Sequence, residues 1–196
     1  MMKTVNTFSE ESELDFILTG SPKGVCYTSF AELDSTRYAG KVVVNGGANP
    51  YYSKSHYVGA RRLSEKLRVE GRFNRLVNGR TLTHIRLDDT PHTTDSMLKF
   101  LSKTLSRRDV KFLALTHDLT ICGKCGQVSR GIHGKCVRCK SPRVSVWSRD
   151  TGHLQSTRTW SPAQLQAYVD EYRFNLNGQG SPLPARKRKT IMKYRG

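Results

Sequence analysis

Carboxylates are scarce in this sequence: its 196 residues carry 16 Asp and Glu against 33 Lys and Arg, a formal charge of +17. What acid there is crowds at the front. Residues 1–34 hold Glu10, Glu11, Glu13, Asp15, Glu32 and Asp34 against Lys3 and Lys23, a net −4 that leaves +21 on the remainder. Such an imbalance points to a polyanionic partner: nucleic acid, nucleotide or an acidic protein surface. Long apolar runs are missing too, since nothing approaches the roughly 18 residues needed to span a bilayer. The N-terminus is acidic where a secretory leader is basic, and its short apolar stretch LDFIL is broken by Asp15. The expectation is a soluble, cytoplasmic protein with no membrane contact. In that reducing setting five cysteines, an odd number, suit a metal site better than a disulfide framework. The length allows one ordinary domain with a small added module, and no internal repeat is present.

Turn signals and short apolar runs dominate residues 24–58, where Val42, Val43 and Val44 read as a strand running into the turn Asn45-Gly46-Gly47. Residues 62–77 fit a basic amphipathic helix only moderately, because Gly71 interrupts it. TLTHIRL, residues 81–87, has strand composition without a clean face. A helix follows, with Thr94 or Asp95 as N-cap and Met97, Leu98, Leu101 and Leu105 at helical spacing. VKFLALTH, residues 110–117, then reads as a buried strand of a parallel sheet, so strand, helix and strand compose an α/β unit ending near His117. Farther on, Ser161 and Pro162 open a helix with Leu165, Tyr168, Val169 and Tyr172 on one face. The last stretch, 181–196, has six Lys or Arg and no acid after Ala185, and reads as a solvated, mobile arm.

The most specific local pattern is a pair of CxxC turns. Ten residues, Gly126, Gly131 and Gly134 among them, separate the Cys122/Cys125 turn from the Cys136/Cys139 turn. That is the composition of two knuckles joined by a hairpin, each turn supplying two thiolates to a tetrahedral zinc. An iron site with the same ligands, or two redox dithiols, are the alternatives. Gly126 follows the first turn as such knuckles prefer, but Lys140 follows the second. His133 reads as a solvated hairpin residue and not a ligand. A metal closed in by four cysteines has no open position, so it would fold the module and not catalyse.

Taken in order, YYSKSHYV, TLTHIRL, VKFLALTHDLTICGKCG, CVRCKSPRVSVWSRDTGHLQ and NLNGQG resemble the C-terminal part of the anaerobic, class III ribonucleoside-triphosphate reductases, which are glycyl radical enzymes. The resemblance covers residues 24–180. It implies an α+β arrangement: a partial α/β barrel over 1–117, a four-cysteine zinc ribbon over 118–147, a glycyl radical loop and helix over 148–180, and the basic tail over 181–196. Gly152 falls on the radical glycine, and Arg149 and His153 would shape its loop. The radical would be raised by a separate activating enzyme that uses S-adenosylmethionine and an iron–sulfur cluster. It would then pass to a cysteine that attacks the ribose of a ribonucleoside triphosphate. Cys26 lies in a segment that reads as barrel core and not as that thiol, so a catalytic partner chain would supply the cysteine and complete the barrel. His153 stands where the family has an aromatic residue, and Asp150 where an apolar one is usual.

Two readings follow. In the first, the chain is the glycyl-radical component of a split or truncated reductase serving deoxyribonucleotide synthesis. In the second, it is a non-catalytic zinc-ribbon protein of the same descent, in which Gly152 is an inherited turn residue. There the basic surface would contact nucleic acid or a protein complex, through Arg186, Lys187, Arg188 and Lys189 of the tail.

Overall fold

The structure, a computed structural model, describes residues 25–52, 59–77, 81–149 and 153–193. Helix α1 spans Val25–Arg37 and α2 spans Leu63–Asn74. Strand β1 (Leu82–Arg86) is followed by helix α3 (Thr94–Leu105) and strand β2 (Phe112–Thr116). β1 and β2 pair in parallel, from Leu82 opposite Phe112 to Arg86 opposite Thr116, with α3 as the crossover. Parallel neighbours require such a crossover, and the sequence supplies a well-capped one. The cap is Thr93, one residue ahead of the expected position: its side chain accepts from Ser96 N at 3.2 Å while Ser96 Oγ accepts from Thr93 N at 3.1 Å. Two parallel strands do not close a barrel, and they are the only parallel pair of strands among the described residues.

Gly71, expected to interrupt α2, is instead what lets the helix sit where it does. A Cβ there would overlap the Asp109 carboxylate. Asp109 belongs to the turn after α3, where Asn74 Nδ2 donates to its carbonyl at 2.8 Å and Arg107 Nη2 pairs with its carboxylate at 2.9 Å. The valine run at 42–44 is not a strand; among the described residues no strand pairs with it, Val43 is 90% exposed, and only an isolated bridge joins Asn45 to Tyr51. β propensity without a neighbouring strand makes no strand, and Val42 N donates instead to Tyr38 O at 3.3 Å in the turn after α1.

Beyond His117 the chain builds a four-stranded antiparallel sheet in the order β4-β3-β5-β6. Its strands are β3 (Leu119–Cys122), β4 (Val128–Arg130), β5 (Val144–Arg149) and β6 (Leu154–Ser156). β5 alternates buried and half-buried residues, as a strand with one face on a core must. Helix α4 (Pro162–Asp170) starts at Ser161 with Pro162 in its first turn, as expected, and Gln164 completes a capping box with Ser161. Strands β7 (Arg173–Phe174) and β8 (Gly180–Ser181) form a short hairpin, and Phe174 bridges in parallel to Leu87, carrying the chain back to the end of β1. Asp88 N donates to Phe174 O at 3.0 Å there. One core gathers Leu63, Leu67, Ile85, Phe100 and Phe174 under the parallel pair, and a second gathers Val146, Trp160, Leu165, Tyr168 and Val169 under β5.

The tail expected to be a mobile arm contains helix α5 (Ala185–Lys193), docked on the second core. Ile191 is buried to 2% exposure and Leu183 to 5%, both among α4 and β5 side chains. Arg188 Nε donates to Leu183 O at 2.9 Å and Arg188 Nη1 lies 3.5 Å from Asp170 Oδ1. A tally of charge hid the two buried apolar positions, Leu183 and Ile191, that make this segment fold. Ile191→Ala is expected to cost about 2–4 kcal/mol by transfer and cavity terms. Denaturant unfolding monitored at Trp160 reads the loss; an unchanged midpoint would mean that α5 is not docked.

Candidate functional site

The two CxxC turns converge. The Sγ atoms of Cys122, Cys125, Cys136 and Cys139 all lie within 4.8 Å of one another, with Cys122 to Cys139 and Cys125 to Cys136 at 3.6 Å. Disulfide sulfurs would stand at about 2.05 Å. Four thiolates at about 2.3 Å from a tetrahedral zinc lie about 3.8 Å apart, so the spacing suits a bound metal. Cys122 closes β3, opposite Val144 of β5, and is buried with Cys136 and Val144. Each turn tightens in the same way: Gly126 N donates to Cys122 O at 3.0 Å and Lys140 N to Cys136 O at 3.1 Å. Gly126 has φ +70° and Lys140 φ +56°, so the second turn takes the left-handed conformation without a glycine. Lys140 Nζ helps by donating to Val137 O at 3.0 Å.

Backbone donors favour thiolate at two of the four sulfurs. The N–H groups of Cys139 and Arg138 pull Cys136 down to about 6, and those of Cys125 and Lys124 lower Cys122. Gln127 N–H pulls on Cys125, but the neighbouring sulfurs and burial push that thiol up to about 11. Four sulfurs this close share negative charge poorly, and a soft divalent cation resolves the conflict. His133 stands apart, its Nε2 2.8 Å from Arg130 O. No helix among the described residues is long and apolar enough to cross a membrane.

Between the parallel pair and the cysteine sheet lies a buried ionic cluster that sequence reasoning missed. Arg86, the last residue of β1, is 3% exposed. Its Nε donates to Glu171 Oε2 at 3.0 Å and its Nη1 to Asp118 Oδ1 at 3.1 Å and to Ser148 Oγ. Arg173 approaches the other side of Asp118, Nη2 to Oδ2 at 3.2 Å, and donates from Nη1 to Tyr168 O at 2.8 Å. Both guanidiniums flank the Tyr168 ring, at 4.9 and 4.6 Å from its centroid. Burial alone would raise the Glu171 and Asp118 carboxyls. Arg86 and Lys66 near Glu171, and Arg173 and Arg86 near Asp118, outweigh it and hold both well below the ordinary carboxylate range. The one signal in the sequence was Arg86 itself, a charge at a strand position bounded by Ile85 and Leu87 with no polar face to occupy.

This cluster meets the segment singled out for radical chemistry. Arg86 Nη2 donates to Arg149 O at 3.0 Å, at the end of β5. Arg149 pairs across to Leu154, so residues 150–153 connect β5 to β6. Gly152, with Asp150 and Thr151, lies outside the described residues. Arg149 is half-buried and His153 exposed. Cys26 falls in the first turn of α1. In the tail, Arg188 turns inward to Asp170 and Lys187 pairs with Asp89, while Arg186 and Lys189 line surface cavities.

Two outcomes test the site. Arg86→Met removes the principal partner of Glu171 and the second cation of Asp118 and is expected to destabilise by about 3–5 kcal/mol at neutral pH. Wild-type stability from carboxyls with depressed pKa is present above about pH 4 and lost as pH falls below it. In the variant the orphaned acids instead gain by protonating, so the gap should narrow between about pH 4.5 and 3. A gap independent of pH in that window would dismiss the charge argument. For the sulfurs, elemental analysis of purified protein is expected to find one zinc per chain, and Cys122→Ser or Cys139→Ser to lose both the metal and the antiparallel sheet. Folded protein free of zinc and iron would contradict it.

The comparisons with known proteins agree with this geometry. A solved structure described as an anaerobic ribonucleotide reductase shares the fold at 17% identity, with a TM-score of 0.63 over 89% of this chain. The anaerobic ribonucleotide reductase from Thermotoga maritima, solved with MES in the active site, does so at 18% identity and a TM-score of 0.57 over 79%. The chain spans only 27% and 25% of the length of those two proteins. No curated protein matches it. The family model for anaerobic ribonucleoside-triphosphate reductase matches residues 1–172, most of the sequence, and the chain therefore belongs to the anaerobic ribonucleoside-triphosphate reductase family.

Proposed function

We propose that this chain is the glycyl-radical portion of an anaerobic ribonucleoside-triphosphate reductase, inactive alone, with Gly152 as the residue that stores the radical. The observation that carries the reading is the connection at the root of residues 150–153. The strand that leads into them, β5, begins opposite Cys122 of the four-cysteine cluster and ends at Arg149, whose carbonyl is held by the buried Arg86. A segment anchored at both ends of its supporting strand suits a residue that must be presented to a partner in one geometry.

Glycine fits the task on chemical grounds. Loss of one hydrogen atom from Cα leaves a radical that delocalises into both flanking amides only if Cα flattens, and no side chain stands in the way. An activating enzyme would take that hydrogen atom, using S-adenosylmethionine and an iron–sulfur cluster that cofactor chemistry must supply. A partner chain completing the barrel would provide the cysteine that receives the radical and the site for the ribonucleoside triphosphate. Zinc held by Cys122, Cys125, Cys136 and Cys139 would have no open coordination position and would serve to fold the support. Arg149 and His153 flank the glycine segment at the strand ends.

The test is spectroscopic. Anaerobic incubation with activating enzyme, S-adenosylmethionine, reductant and partner chain is expected to give an electron paramagnetic resonance doublet, split by the one hydrogen left on Cα. Exposure to oxygen should then cut the backbone at Gly152 and release a basic C-terminal piece. Gly152→Ala should abolish signal and cut together while leaving the zinc bound. An intact chain without a doublet, in a verified complex with a competent activating enzyme, would overturn the proposal.

A further inference from the structure

The C-terminal helix carries a feature that radical chemistry does not use. Two adjoining surface cavities, of about 520 and 400 Å³, run along α5 and share Arg186 and Thr190 as walls. The first is closed on the other side by residues 132–135, the stretch that leads into Cys136, with Lys135 at its edge. Lys187 also lines the first, and Lys189 and Lys193 line the second. No carboxylate lines either one. Among the described residues only Lys187 of these cations has an ion-pair partner, Asp89.

The arrangement is built and not a random cluster of charges. Arg186, Lys189, Thr190 and Lys193 follow the i, i+3, i+4, i+7 spacing of one helix face. The other face is pinned by buried Ile191 and by Arg188, which reaches Leu183 O and Asp170. The cationic stripe is therefore held by the fold and loses little backbone entropy on binding. At 1.5 Å per residue it is about 10 Å long, which matches about three phosphates along one nucleic-acid strand. His133 is the only ring in the lining and its Nε2 is already engaged by Arg130 O, so the groove offers charge without a stacking platform.

We propose that this groove binds the phosphate backbone of a nucleic acid, without reading its sequence, through Lys135, Arg186, Lys189 and Lys193. The site is separate from the radical-loop root, and the inference stands whether or not Gly152 carries a radical. An open furrow of single-sign charge, with no aromatic wall and no carboxylate to hold a ribose, suits a continuous polyanion better than a free nucleotide.

The experiment is fluorescence anisotropy of a labelled single-stranded oligothymidylate titrated with the full chain at several salt concentrations. With four phosphates neutralised, the slope of log affinity against log salt is expected near −3. The double variant Arg186→Gln, Lys189→Gln should weaken binding by tenfold or more at low salt and make the slope shallower by about 1.4, since each lost contact is worth about 0.7 on single strands. A matched pair on the exposed face of α2, Arg68→Gln with Arg72→Gln, should leave both values close to wild type. Thermal midpoints of the two variants establish that α5 stays docked. Three results would overturn the proposal: no binding at low salt, equal losses in both double variants, or displacement by ATP as effective as by unlabelled oligothymidylate at equal phosphate concentration.

Discussion

The structure depends on one carboxylate. Asp118 sits just before the first strand of the antiparallel sheet and accepts Arg86 from β1, Arg173 from β7 and Ser148 from β5, the last at 2.7 Å. Three separately formed elements thus meet at a single buried anion. A buried ion pair is weak support for stability compared with apolar packing of equal volume. Its effect is specificity: two desolvated guanidiniums packed over Tyr168 tolerate few positions of their acids, so the cysteine sheet can dock on the parallel pair in one register only. Charge buried at a junction between two modules excludes wrong arrangements more sharply than leucines would.

Tyr168 explains why the cluster remains compact. Burial first, and then the charge of Asp118, push its hydroxyl above the ordinary tyrosine value, so the ring stays neutral between two cations. Trp160 closes the ring's edge at 5.2 Å in a T-shaped contact, and α4 supplies Leu165 and Val169 beside it. The same apolar patch receives Ile191 of α5. Ionic junction and tail helix therefore share one foundation, although they lie far apart in sequence and one looks like core and the other like solvent-exposed tail.

Legibility in the sequence followed the range of the interactions. The parallel pair with its crossover helix, the α4 N-cap and the four cysteines were all readable, because each is set by spacing within a few residues or by one chemical type. Gly71 was misread: periodicity treats it as a break, whereas Asp109, 38 positions on, requires it. Val42–Val44 failed for the opposite reason, since strand propensity is expressed only where a partner strand exists. Arg86 could be noticed but not placed, as its partners Asp118, Ser148 and Glu171 lie at separations of 32, 62 and 85 residues. The tail was judged by its charge, and the two apolar residues that dock it, Leu183 and Ile191, were outweighed by six cations.

β3 is where these strands of reasoning join. It has only four residues, yet Asp118 precedes it and Cys122 ends it, so the ionic junction and the clustered cysteine sulfurs are separated by about 14 Å of one extended backbone. β5 lies alongside in antiparallel register, starting opposite Cys122 and ending at Arg149, where Arg86 closes the circuit. Slippage by one residue would turn Ser148 away from Asp118 and Val144 away from Cys122 together, because side chains alternate faces with period two. The four-cysteine cluster and the ion cluster therefore fix the same register from opposite ends. The root of the Gly152 segment takes its position from both, and neither constraint draws on the remainder of a barrel.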